Sequence, residues 1–109
     1  MIYDYKIYNY IYDLIVSGQK KIEIRLLNDK SKSIKSKDLI RFTNIEDENK
    51  KVIVKVKDKR IYDNINILLE SEDDTKIYPN KEKIKEILTK TYGNNNEKFI
   101  VIEFELMEE

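Results

Sequence analysis

The sequence predicts an α+β domain, and three observations carry that expectation. The chain has 109 residues, the length of one domain spanning 1–109. Segments whose apolar residues recur every second position alternate with segments whose apolar residues share one helical face. Only two glycines and one proline interrupt the chain, with no fixed-period repeat and no linker-like stretch. A domain of this length buries roughly 65% of the surface its unfolded chain exposes, so it has one modest core.

The elements follow in order. Over residues 7–17, Ile7, Ile11, Leu14 and Ile15 share a helical face, and Gly18 stands where a left-handed residue ends a helix. Ile22, Ile24 and Leu26 then alternate with Glu23 and Arg25, the period of a half-buried strand with a charged face. Leu39–Phe42 and Val52–Val56 are β-branched or apolar runs separated by a polar loop around 45–50, which predicts a hairpin. Asp63 is placed to cap a short helix holding Ile65, Leu68 and Leu69, and Asn80 to cap another holding Ile84, Ile87 and Leu88, ended by Gly93. Phe99–Leu106 begins as a continuous apolar run and becomes alternating, which predicts a last strand covered on both faces in its first half. Loops are expected at 28–37, 45–50 and 71–79. With four or five short strands, curling the sheet into a small barrel protects its edges, and an open α+β sheet is the alternative.

Composition excludes several function classes. Without Cys or His there is no disulfide, thiol chemistry, Cys/His zinc site, haem ligation or His-dependent nucleophile. No cofactor and no metal are expected. The acidic run Glu70, Glu72, Asp73, Asp74 matches no calcium loop and reads as a solvated turn. No signal peptide or membrane span is apparent, so a cytoplasmic location is expected. Lys+Arg and Asp+Glu are both 21, so the net charge is zero. The charges are nevertheless segregated: Lys20 to Arg41 holds eight basic residues against three acidic ones. A basic pole of this kind suits an anionic partner, whereas each lysine alone is simply solvated.

The stretch Gly18-Gln19-Lys20-Lys21-Ile22-Glu23-Ile24-Arg25 places a lysine, a carboxylate and an arginine at a helix-to-strand junction. Glu23 and Arg25 are two apart on one strand face, where the guanidinium can orient the carboxylate and keep it ionised. The competing reading is a surface ion pair worth ~0–1 kcal/mol beside a loop lysine. Spacing alone favours the latter.

The same stretch resembles the G-x-K-x-x-E-x-R motif of ASCH domains, small relatives of the PUA fold, matched here by Gly18, Lys20, Glu23 and Arg25. Leu26–Asp29 is similar to the strand exit of small bacterial-type members, Lys37–Asn44 to their G-D-x-I-x-F segment, and Phe99–Phe104 to their closing strand. Lys37 departs from the family's glycine, so the turn there must avoid positive φ or carry strain. The resemblance implies a small PUA-like β-barrel of about 5–6 strands with 2–3 short helices, and a cleft beside the first helix. It further implies RNA, a nucleoside or a nucleotide as partner, with Lys20, Lys21, Glu23, Arg25, Asn28 and Asn44 as ligand-binding residues. Tyrosine rings would suit stacking with single-stranded bases, although for Tyr3, Tyr5, Tyr8 and Tyr12 packing with the hydroxyl at the surface is the expected role.

Some ASCH proteins look like amidohydrolases of N(4)-acetylcytidine that use a lysine, a threonine and a glutamate. This chain matches the lysine as Lys20, has Glu23 at the threonine position, and has no acid between Glu70 and Asp74 that aligns with the glutamate. The alternative function is therefore hydrolysis of a modified nucleoside or of RNA, with Lys20 and Glu23 catalytic. A third reading is a protein-binding regulatory module whose basic pole meets an acidic partner.

Overall fold

The computed structural model of the chain describes residues 1–77, 81–92 and 97–107. Its elements are β1 (Ile2–Ile7), α1 (Asn9–Val16), β2 (Ile22–Leu26), α2 (Asp29–Ser33), β3 (Leu39–Asn44), β4 (Lys51–Tyr62), α3 (Ile65–Ser71), a 3-10 turn (Asp74–Lys76), α4 (Lys81–Tyr92) and β5 (Phe99–Leu106). The five strands form one mixed sheet in the order β1-β3-β4-β5-β2, with β1 and β3 parallel and the other pairs antiparallel. The sheet curls into a half-barrel, as expected of a small PUA-like barrel of the α+β class. The predicted β3–β4 hairpin is present, with Phe42 opposite Val52 and Ile40 opposite Val54.

The two faces of the sheet carry two cores. Tyr5, Ile7, Ile40, Phe42, Val54, Ile100, Ile102 and Phe104 point inward and meet Ile15 of α1 and Ile34. On the other face Ile22, Ile24, Phe99 and Val101 pack under Ile65, Leu68 and Leu69 of α3 and Ile84 of α4. β5 is thus covered on both faces from Phe99 to Ile102, as its apolar run predicted. Each fully buried side chain, Phe42 and Phe99 among them, contributes roughly 1.5–3 kcal/mol through removal from water.

Several expectations are corrected. Residues 2–7 form an edge strand, and the helix expected from residue 7 begins at Asn9. Ile7 fits both periods, but it is buried as the inward partner of Tyr5 on β1. The loop expected at 28–37 contains α2, started by a capping box in which the Asn28 side chain accepts from the Ser31 amide and the Ser31 hydroxyl accepts from the Asn28 amide. β4 runs to Tyr62 because a bulge at Lys57 restarts the pairing at Asp58. The cap of α3 is Asn64, whose side chain accepts from the Ile67 amide, not Asp63. Among the described residues there are four α-helices where two or three were expected. Lys37 adopts φ +77°, so the turn that favours glycine is made here by a lysine. In α4, Ile84 is buried and Ile87 is 37% exposed; Asn80, Gly93 and the side chain of Leu88 lie outside the described residues. Among the described residues no helix is long and apolar enough to cross a membrane.

Candidate functional site

The end of α1 sets the site. Ser17 closes the helix, and Gly18 at φ +82° turns the chain while its amide donates to the Ile15 carbonyl at 3.0 Å. A left-handed residue at this position favours glycine. The Lys20 amide then donates to the Leu14 carbonyl at 3.0 Å, which anchors Lys20 against the helix end just before β2.

β2 was expected to show a charged face to solvent. Instead both faces are covered: Ile22 and Ile24 meet the α3–α4 core, and Glu23 and Arg25 sit opposite Ile102 and Ile100, on the inner face. Glu23 is 7% and Lys20 5% exposed. Lys20 Nζ lies 3.5 Å from Glu23 Oε1, and Arg25 Nη2 lies 3.1 Å from Glu23 Oε2. The Ile24 amide also donates to Glu23 Oε1 at 3.2 Å. Burial pushes the Glu23 carboxyl up, but the charges of Lys20 and Arg25, the Arg25 hydrogen bond and the Ile24 amide outweigh it and hold the group below the usual carboxylate range. The trio holds two cations against one anion.

Arg25 does a second job. β1 and β2 are the two edges of the sheet, and Arg25 Nη2 donates across the seam to the Lys6 carbonyl of β1 at 3.2 Å. Its guanidinium also lies 4.5 Å from the centroid of the Tyr5 ring, whose neighbourhood holds the Lys30 ammonium at 4.0 Å. The ionic cluster therefore joins the open sides of the half-barrel as well as concentrating charge.

Lys20 reaches a groove of about 320 Å³ beside the end of α1, whose lining includes Gly18, Lys21, Lys57, Lys76 and Phe104. Lys21 is exposed on its rim, with its amide donating to the Lys76 carbonyl at 3.2 Å and its carbonyl accepting from the Phe104 amide at 3.0 Å. Glu103 and Glu105 also line it, and Glu103 pairs with Lys76 at 3.5 Å. The structure thus brings Lys20, Glu23 and Arg25 together with Lys21 nearby. It does not bring Asn28 or Asn44 to them: Asn28 caps α2, and the buried Asn44 side chain donates to Asn9 Oδ1 at 2.7 Å and accepts from the Glu46 amide at 2.8 Å.

Sequence reasoning missed Lys57 and Lys76 on the groove. Lys57 is the residue left over at the β4 bulge, and its isolated charge in a polar run gave no signal. Lys76 is close to the chain segment before α4, where the sequence suggested only an acidic loop. That loop contains a specific network: Arg60 grips Glu72 with two bonds of 2.7 Å and reaches Asp58 at 2.9 Å and Glu103 at 3.0 Å. The Tyr62 hydroxyl also donates to Glu72. Glu72 is held below the usual carboxylate range chiefly by the Arg60 hydrogen bonds, against its burial. Among the described residues no group of acids could hold a metal ion.

No family model matches the sequence, and no curated protein matches it. Solved structures do. Hypothetical protein PH0355 has a TM-score of 0.84 at 29% identity, with 98% of this chain and 100% of that one covered. Protein PF0455 from Pyrococcus furiosus has a TM-score of 0.74 at 27% identity, with both chains covered at 100%. ASCH from Zymomonas mobilis has a TM-score of 0.72 at 12% identity, covering 94% of this chain and 66% of that one.

Proposed function

On this ASCH-like fold, we propose that the chain is a binding module that takes RNA or a nucleotide in the groove at the end of α1, with Lys20 in its lining and Glu23 and Arg25 behind Lys20. One observation carries the reading: two cations and one anion, with Lys20 and Glu23 buried and Arg25 half-buried, border through Lys20 a groove whose rim adds Lys21, Lys57 and Lys76 against Glu103 and Glu105. The net positive charge of the trio and of the groove's lysines favours an anionic ligand group such as a phosphate. Lys20 supplies the cation at the groove. Arg25 and Lys20 hold the Glu23 carboxylate ionised, and Glu23 in turn fixes the direction of both cations. Leu106, exposed on the lining, offers an apolar contact for a base or sugar.

Hydrolysis is the weaker reading. Glu23 is held below its ordinary range, already accepts from Arg25 and the Ile24 amide and is paired with Lys20, which makes it a poor base for activating water. Incubation with acetylated cytidine and with short RNAs, followed by mass spectrometry, is expected to show no product above a Lys20→Ala control.

The binding reading is tested by titrating cytidine 5′-monophosphate into the protein by calorimetry. The wild type is expected to bind, with affinity falling as salt is added. Lys20→Ala, checked for folding by circular dichroism, is expected to lose ~10-fold or more, the weight of one charge-assisted contact of roughly 1.5–3 kcal/mol. Salt-independent binding, or wild-type affinity in the folded Lys20→Ala variant, overturns it.

A further inference from the structure

Among the described residues, only half of the outer face of the sheet is covered. α3 and α4 lie over β2 and β5, whereas the outward residues of β1, β3 and the start of β4 remain open, with Ile2 47% and Ile53 38% exposed. A groove of about 500 Å³ lies here, bounded by Lys6, Lys30, Arg41 and Lys51 against Asp4 and Glu48. Four cations face two anions. Arg41 is committed to Asp4, at 2.6 Å, and the Lys30 ammonium sits over the Tyr5 ring and donates to the Asp4 carbonyl. Among the described residues Lys6 and Lys51 make no ion pair, and both are exposed. Lys6 pairs in register with Thr43, and Thr43 with Lys51, so the two lysines stand two strand spacings apart, ~10 Å, across one face.

A second, independent feature adjoins this groove. The chain leaves β1 through Tyr8 in an extended conformation, φ −71° and ψ 157°, which keeps Tyr8 on the outward alternation of Asp4 and Lys6. Tyr8 is 60% exposed, not packed as its sequence neighbourhood suggested, and stacks on Tyr10, 46% exposed, at 6.1 Å between centroids and 7° between planes. A parallel pair of exposed rings at the end of a basic groove offers the two elements that sequence-tolerant single-strand binding uses: phosphate contacts and a stacking platform.

We propose that this outer groove, with Tyr8 and Tyr10, is a binding surface for single-stranded nucleic acid, separate from the Lys20 groove. The phosphates run over Lys6 and Lys51, and a base stacks on the open face of the tyrosine pair. An unrelated acidic protein has no need of the rings, and a mononucleotide does not need both lysines.

Fluorescence anisotropy with a labelled uridine octamer tests it on the full chain, alongside the cytidine 5′-monophosphate titration. The wild type is expected to bind the octamer. Lys6→Gln/Lys51→Gln is expected to lower octamer affinity about 10-fold near 0.15 M salt and to make the slope of log K against log salt shallower by ~1.4, at ~0.7 for each lost contact. Tyr8→Ala is expected to lower it by ~5-fold or more. Mononucleotide affinity stays unchanged in both variants. Octamer binding that survives both variants and is lost in Lys20→Ala overturns the second surface while the Lys20 reading stands. An octamer that fails to bind a wild type that still binds the mononucleotide does the same. Octamer binding lost in the outer variants, with no mononucleotide binding at all, supports the outer surface and sinks the Lys20 reading.

Discussion

Replacing Glu23 by glutamine removes the one anion that holds a buried and a half-buried cation, and the consequence follows from the geometry. Lys20 at 5% exposure loses a partner 3.5 Å away, and Arg25 loses one at 3.1 Å. Breaking a buried ion pair on one side costs about 3–5 kcal/mol, because the remaining charge stays uncompensated. Arg25 keeps the Lys6 carbonyl and its side chain is 23% exposed, which places the cost near the lower limit, about 3 kcal/mol. In a domain of this size that is a fall in Tm of roughly 12–24 °C. The pH dependence has a definite sign. The folded Glu23 carboxyl lies below its unfolded value, so its stabilisation is present above the unfolded pKa of ~4.3 and is lost as pH falls through the folded value. Urea unfolding of wild type and Glu23→Gln at pH 7 and at pH 3 measures both: a gap of about 3 kcal/mol at neutral pH that closes in acid. A gap below ~1 kcal/mol at pH 7, or one that stays constant down to pH 3, would show that the trio is a solvated surface set.

Two other outcomes follow from the same structure. Arg60→Ala strands the buried Glu72 carboxylate and is expected to cost about 3 kcal/mol in chemical denaturation, with Arg60→Lys recovering only part, since one ammonium cannot reproduce the paired grip on Glu72. Lys37→Gly relieves a left-handed residue at φ +77°; relief of ~1–2 kcal/mol less the ~0.5–1 kcal/mol of extra unfolded-state freedom leaves a gain of about 0.5–1 kcal/mol in the same assay.

The later strands were legible because their patterns are one-sided or strongly apolar. Phe99–Ile102 reads as buried on both faces and is. β2 shows the limit of alternation: Ile22-Glu23-Ile24-Arg25 looks half-buried, yet Glu23 also lies inside, because Lys20 comes round the Gly18 turn to neutralise it. That turn is local, but the covering elements are not, and no residue of β2 announces that β1 lies across the seam. β1 itself carries a readable two-residue period in Tyr3, Tyr5 and Ile7, hidden because Ile7 also continues the helical face of Ile11, Leu14 and Ile15. Asn28 and Asn44 fit the family resemblance by position, whereas their side chains are spent on capping α2 and on fixing the turn after β3. The ionic trio was visible as a motif; that it is buried, and that Lys57 and Lys76 join its groove, depended on a bulge and a 3-10 turn that the spacing does not encode.

A crystal of the protein soaked with cytidine 5′-monophosphate offers the most direct measurement. Density for the nucleotide beside the end of α1, with a phosphate or carbonyl oxygen within about 3.2 Å of Lys20 Nζ, is the expected result. A nucleotide bound only elsewhere, with Lys20 still enclosed by Glu23 and the groove vacant, would contradict it.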